Sequence, residues 1–255
     1  MNVPGLPFLA SEHGAEVDKL MLYVHVLMVL LFVGWFAFFV FTLFRFRSSK
    51  NTKANYAGVK SHASTYLEVA VAIFEVVLLV GFAVPLWAKI ADKFPEESKS
   101  TVIRVVAAQF NWTARYPGPD GKFAPQSPKF VTQDNLFGVD KTNPASKDDF
   151  AGPLNEVVVP VNTPVIAHIT SKDVIHSFKI NPFRVTQDAI PGLSIPTHFT
   201  ATKEGTYLIN CAQLCGNSHA FMKGFVRVVS AQKYDEWVKE QVKKSAAAPA
   251  GGGFE

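Results

Sequence analysis

Within twelve residues, from Cys211 to Met222, the chain places both of its cysteines, one histidine and one of its four methionines, in the run CAQLCGNSHAFM. A single-copper electron-transfer loop needs one thiolate, a following His and a weak thioether. Cys211 and Cys215 offer two thiolates that can bridge two ions, so the spacing predicts a binuclear copper centre. His219, four residues after Cys215, can serve one copper, and Met222 supplies the soft axial donor that copper accepts and zinc rarely does. The second imidazole must come from elsewhere. His176, in the strand-like stretch KDVIHSFKI, is the best candidate, because a ligand from a second strand would cross-link the end of the barrel that carries the cysteine loop. The Gln213 main-chain carbonyl, held between the two cysteines, is placed to complete the second copper. On the residues alone three plainer readings stay open: a disulfide in an oxidising compartment, a structural Cys2His2 zinc, or two buried small hydrophobes. None of them accounts for His219 and Met222 at ordered spacing downstream.

The pattern C-x3-C-x3-H-x2-M with an upstream DVIHSF resembles the CuA site of cytochrome c oxidase subunit II. DAIPG (Asp188 to Gly192), GTYLINCAQLCG, AQFNWTARY and two hydrophobic segments fall in that family's order, so the resemblance covers about Met21 to Val229. It implies His176, Cys211, Gln213 (through its carbonyl), Cys215, His219 and Met222 as ligands of two copper ions, with no catalytic residue on this chain. Electrons would pass to haem in subunit I, where oxygen is reduced to water and protons are pumped. AQFNW is similar to the family's aromatic electron-accepting motif, usually Q-W-x-W, with Phe110 in place of the first tryptophan and Trp112 kept. Glu68 stands where the family commonly has a glutamate at the mouth of a proton-uptake channel, and Glu75 follows seven residues later, where relatives often have proline. Many relatives carry Glu at the position of Gln213 and use it to help bind Mg. An amide is a poorer Mg ligand than a carboxylate, so a weak or absent Mg site is expected here.

The motif set looks like that of bacterial aa3-type oxidases paired with alternative complex III. The implied partners are subunit I, other oxidase subunits, and a cytochrome c or a cytochrome c domain. Asp173, three residues before His176, is a candidate to support that imidazole from outside, with a turn-stabilising Asp as the ordinary alternative. Two further readings belong to other classes. A nitric-oxide-reducing haem-copper complex could use the same module, and a membrane-tethered copper-delivery protein would be expected to hold its metal with exposed, exchangeable ligands. A metal-free subunit of the quinol-oxidase kind would have lost the ligands.

The elements that must position these residues follow from composition. With 255 residues and 48% hydrophobic content, the chain suffices for one globular domain and a membrane anchor. Met21 to Phe44 is a run of 24 residues whose only ionisable side chains are Tyr23 and His25, long enough at about 1.5 Å per residue to cross a core of roughly 30 Å. Tyr66 to Trp87 is a second run, of 22 residues, interrupted by Glu68 and Glu75 and carrying Pro85 near its end. Arg45, Arg47, Lys50, Lys53 and Lys60, with no acid among them, place the connection on the cytoplasmic side. The expected location is therefore a bacterial inner membrane with two spans and the C-terminal domain in the periplasm. The first twenty residues show no basic n-region before an apolar core, so no typical cleavable signal is expected.

After Lys89 the pattern changes to short β-rich pieces, TVIRVVAAQFNW, NEVVVPVNTPVIAHIT, VIHSFKI, GTYLINC and GFVRVVS, separated by Gly, Pro, Asn and Asp turns. This reads as a small antiparallel sandwich or barrel. The family resemblance makes it a cupredoxin-like Greek-key barrel, giving a mixed fold of helical hairpin plus all-β domain. The expected organisation is an extracytoplasmic segment 1–20, a hairpin 21–88, a copper domain 89–244 and a flexible tail 245–255. Tyr116 to Pro153 is a turn-rich insertion expected on the surface, and YDEWVKEQVKK a short amphipathic helix. No C-x-x-C-H remains to attach a haem, so the electron donor must be another protein. No nucleic-acid motif is present, and the basic balance owes much to the five cations of the cytoplasmic loop.

Overall fold

The computed structural model describes residues 5–53, 56–58, 60–132, 135 and 137–247. The chain divides into two compact units, one of residues 16–89 and the other of residues 1–15 with 90–255. The first unit is a helical hairpin. Helix α1 (Gly14–Arg45) contains the first apolar run, and none of its most apolar stretch is buried within the protein. The second run forms α2 (Ala63–Leu78), a π-helical turn (Leu79–Ala83) and α3 (Val84–Ala91). Pro85 has no N–H to give the carbonyl four residues back, that of Gly81, and the ladder widens to π spacing there.

The second unit is a sandwich of two five-stranded sheets. One has the order β3-β2-β1-β5-β8, built from Thr101–Ala108 (β1), Asn111–Tyr116 (β2), Phe150–Ala151 (β3), Pro164–Ser171 (β5) and Ile195–Thr200 (β8). The other has the order β4-β10-β9-β6-β7, built from Glu156–Pro160 (β4), His176–Ile180 (β6), Val185–Ala189 (β7), Gly205–Cys211 (β9) and Lys223–Val229 (β10). The expected antiparallel pairing holds except twice: β1 runs parallel to β5, and β4 runs parallel to β10. Both pairs join strands far apart in sequence, where a long connection lets the chain return in the same direction. Apolar residues from both inner faces fill the core, among them Ile103, Val105, Trp112, Ile169, Phe178 and Ile209, all fully buried. Helix α4 (Ala231–Ala247) packs Trp237 edge-on against Tyr116, with ring centroids 4.9 Å apart. It extends three residues past Lys244, where the tail was expected to begin, because alanines continue a helix readily. Residues 248–255 of that expected tail lie outside the described residues.

Two features go beyond the sequence reading. Residues 10–12 lie along the sandwich, with the Ala10 N–H bonded to the Pro182 carbonyl and that of Glu12 to the Thr200 carbonyl, so the edge strand β8 is covered by the chain's own N-terminal segment. The insertion is more than a surface excursion. Buried Arg115 is paired with buried Asp149, which also accepts the Ala124 N–H at 2.8 Å, while the Phe123 ring lies against the guanidinium groups of Arg104 and Arg115. Its last residues enter the sheet as β3.

Tyr116 links the two sheets. Its hydroxyl accepts the Val158 N–H at 2.7 Å and donates to the Val158 carbonyl at 3.1 Å, satisfying backbone groups of edge strand β4. Burial pushes this phenol well above its ordinary range, which keeps the donor proton in place. Tyr116→Phe leaves both backbone groups buried without a partner, and a loss of about 1–3 kcal/mol is expected in denaturant unfolding. Metal binding should be unchanged.

Candidate metal centre

Strand pairing brings the predicted residues together. His176 opens β6 and Cys211 closes β9; the two strands pair antiparallel, with Phe178 opposite Cys211. The Ala212 N–H continues that pairing to the Ser177 carbonyl at 3.0 Å. The loop from residue 212 to 222 then returns through a single 3-10 turn, His219–Phe221, and the Cys211 N–H bonds to the Met222 carbonyl at 3.3 Å, closing the loop at its base.

Inside this loop the donor atoms converge. The Cys211 and Cys215 sulfurs are 3.7 Å apart, His176 Nδ1 is 3.9 Å from Cys211 Sγ, and His219 Nδ1 is 3.5 Å from Cys215 Sγ. Met222 Sδ lies 3.8 Å from Cys215 Sγ, and the Cys211 thiol donates to the Gln213 carbonyl at 3.1 Å. His176 is fully buried, and Cys211, Cys215 and Met222 are buried with it. A sulfur separation of 3.7 Å is well beyond the bonded distance of about 2.05 Å, so the cysteines are free thiols. It is also shorter than two metal–thiolate bonds of about 2.3 Å, so one ion can touch both sulfurs. Six donors, two thiolates, two imidazole nitrogens, a carbonyl and a thioether, exceed the four that a structural zinc takes and suit two softer ions sharing the sulfurs. Burial, then the neighbouring Cys211, pushes the Cys215 thiol up to about 11. Forming the thiolate at neutral pH therefore depends on a metal displacing the proton.

The surroundings fix the imidazole. His176 Nε2 is 2.9 Å from Asp173 Oδ1, which leaves Nδ1 facing the sulfurs. Partial burial would raise the Asp173 carboxyl, but the main-chain N–H of Gln109, the His176 ring and the Val174 N–H outweigh it and hold the group below its ordinary range. Gln109 was not foreseen as part of the site. Its main-chain N–H donates to Asp173 at 2.7 Å, and its side-chain amide donates to the Cys215 carbonyl at 2.7 Å, tying the β1–β2 turn to the cysteine loop. Gly216 completes the fit: a Cβ there would lie 2.8 Å from Gln109 Nε2 and 3.1 Å from the Phe110 ring, at a φ of +135°. The Cys-Gly step in CAQLCG was the available signal for this close approach.

Of the two aromatic candidates, Phe110 is half-buried and packs on the loop at Gly216, whereas Trp112 is fully buried, its ring edge-on to His176 and Phe178 at 6.2 and 5.4 Å. Trp112 thus lies behind the imidazole, and Phe110 is the ring nearer the surface. His198 packs against Phe94 and His168 lies in β5, so neither joins the cluster. Glu68 belongs to α2 of the hairpin.

Residues 101–229 match the family model "Cytochrome C oxidase subunit II, periplasmic domain". The chain is 25% identical over 210 residues to an alternative cytochrome c oxidase subunit 2 of Bradyrhizobium diazoefficiens, covering 82% of this chain and 74% of that protein. It is 30% identical over 237 residues to a probable cytochrome c oxidase subunit 2 of Rickettsia prowazekii, covering 92% and 69%. Among solved structures, the periplasmic domain of cytochrome oxidase subunit II from Bradyrhizobium japonicum is 34% identical and aligns with 60% of this chain and all of its own, at a TM-score of 0.44.

Proposed function

This chain belongs to the cytochrome c oxidase subunit II family, a membrane component of an oxidase complex, and on that premise we propose that it is the subunit through which electrons reach the oxidase. His176, Cys211, the Gln213 carbonyl, Cys215, His219 and Met222 hold a binuclear CuA centre. The observation that carries this is the convergence of two buried sulfurs 3.7 Å apart with four further donors, of which His176 and Met222 are buried and His219 is half-buried. When bound, the copper centre would supply fast electron transfer at small driving force, with Cys211 and Cys215 giving the thiolates and His176, His219, Met222 and the Gln213 carbonyl the remaining donors.

The protein's own part is to keep that arrangement rigid. Asp173 orients the His176 ring, Gln109 fastens the loop to the β1–β2 turn, and Trp112, itself packed on Phe178, lies edge-on to the buried imidazole. Phe110 offers the outer aromatic surface over which a donor's electron arrives. The electron then moves to haem in subunit I, where oxygen is reduced to water and protons are pumped. The β unit stands in the periplasm, anchored by two spans in the inner membrane.

Copper loading of the full chain in detergent tests this reading. Two coppers per chain are expected, with a multi-line hyperfine pattern of one electron shared equally. One zinc, or one copper with localised hyperfine, would overturn it. Glu68, at the cytoplasmic end of the second span, is proposed to feed protons to subunit I. Glu68→Ala should slow turnover of the assembled oxidase several-fold at unchanged copper content; unchanged turnover and proton uptake remove the assignment.

A further inference from the structure

The two edges of β2 are served differently at Trp112. On one side β2 pairs with β1, and Trp112 stands opposite Ala107. On the other, β3 reaches only Arg115 and Tyr116, so among the described residues no strand is paired with Trp112 there. Trp112 is fully buried, and a buried residue needs partners for its main-chain N–H and carbonyl. Asn155, immediately before β4, supplies both: its Oδ1 accepts the Trp112 N–H at 2.9 Å, and its own N–H donates to the Trp112 carbonyl at 2.8 Å. The Asn155 carbonyl in turn accepts the Phe225 N–H at 2.8 Å and so holds the first residues of β10. The φ of Asn155 is +60°, a left-handed conformation that Asn adopts more readily than most side chains. Glycine would accept that backbone without offering an acceptor, and alanine suits neither need.

What this junction holds borders the metal centre. The Trp112 ring stands edge-on to His176, with centroids 6.2 Å apart, and β10 begins directly after Met222. Gly224 lets the parts close up: a Cβ there would lie 3.1 Å from both the Asn155 carbonyl oxygen and Trp112 Cδ1. In a close-packed interior, a displacement of the Trp112 main chain passes to its ring and from the ring to the imidazole. We infer that Asn155 is a positioning residue for the metal centre, setting through its carboxamide the indole that backs His176 and through its carbonyl the strand that follows Met222. This deepens the proposed function and rests on it for the identity of the metal.

Asn155→Asp keeps an acceptor and Asn155→Gly keeps the backbone conformation, so the pair isolates the side-chain hydrogen bond. In NMR spectra of the metal-free full chain in detergent, Asn155→Gly should shift and broaden the Trp112 indole N–H and the His176 ring signals while leaving Trp237 as it was. Asn155→Asp should resemble the unaltered chain. Slow amide exchange at Trp112 in the unaltered chain, hastened by Asn155→Gly, checks the bond itself. After copper loading, Asn155→Gly should release metal to a chelator several-fold faster and change the hyperfine pattern, a smaller effect than the roughly 10–100-fold expected for a direct partner such as Asp173. A loss of stability alone, with the His176 signals and copper release unchanged, overturns the inference. Fast amide exchange at Trp112 in the unaltered chain does so too, and needs no variant to fold. Absence of a two-copper signal from the unaltered chain would sink the copper reading, while the metal-free spectra still decide the role of Asn155.

Discussion

Cys215→Ser is expected to leave the β sandwich folded and to abolish the two-copper state. Serine is close in size, so the loop from residue 212 to 222 can keep its 3-10 turn and its hydrogen bond from the Cys211 N–H to the Met222 carbonyl. A hydroxyl is a hard and weakly acidic donor, however, and does not bridge copper as a thiolate does. The pocket then keeps one of the two thiol sulfurs that stood 3.7 Å apart, and a copper pair held there would lose half of its bridge. Copper per chain should fall from two to one or none, the shared-electron hyperfine should vanish, and oxidase turnover should drop by more than the roughly 10–100-fold that loss of an outer partner typically costs. Retention of two coppers and the multi-line signal would refute the assigned role of Cys215. Met222→Leu should be milder. The thioether is the weakest donor in the set, so its loss should shift the reduction potential more than the occupancy.

A second large effect is expected in how electrons arrive. Residues 89–255 carry 19 Lys and Arg against 16 Asp and Glu, a net of +3, so the unit as a whole lacks the acidic excess that steers a basic, freely diffusing cytochrome c. The segments around the metal ligands instead expose apolar side chains: Leu214, between the cysteines, is 79% exposed, and Phe221, beside Met222, is 81% exposed. Phe110 also stands where the family usually has tryptophan. Steering commonly raises association rates by about 10–10³, and a unit without that overall acidic excess would forgo the gain. A donor held close by, such as a haem domain of a neighbouring alternative complex III, would replace steering with a high effective concentration. The insertion, fastened by the Arg115–Asp149 pair, is where such a partner would be expected to dock. With a soluble basic cytochrome c, the purified oxidase should turn over slowly and respond weakly to salt, and adding the partner complex should restore fast turnover. Fast turnover that collapses as salt rises would show a conventional acidic docking site and defeat the proposal.

The sequence by itself determined the donor types and most of their positions. CAQLCGNSHAFM and VIHSF name the ligand candidates because soft sulfur and imidazole donors at short, ordered spacing have few other uses. The two spans were also legible, since a lipid-crossing helix must be a long apolar run whatever surrounds it. Only the tertiary structure decided what depends on strands meeting across the sandwich. That His176 lies beside Cys211 follows from the β6–β9 register, which no local pattern contains. Asp173 reaches the far side of the His176 ring, a relation that spacing left level with an ordinary turn. Gln109 is 106 residues from Cys215, and an exposed-looking glutamine beside an aromatic carries no sign of the carbonyl it will bond. The parallel pairs β1–β5 and β4–β10 were likewise invisible, because alternation along a strand records which face is buried and not which neighbour lies alongside.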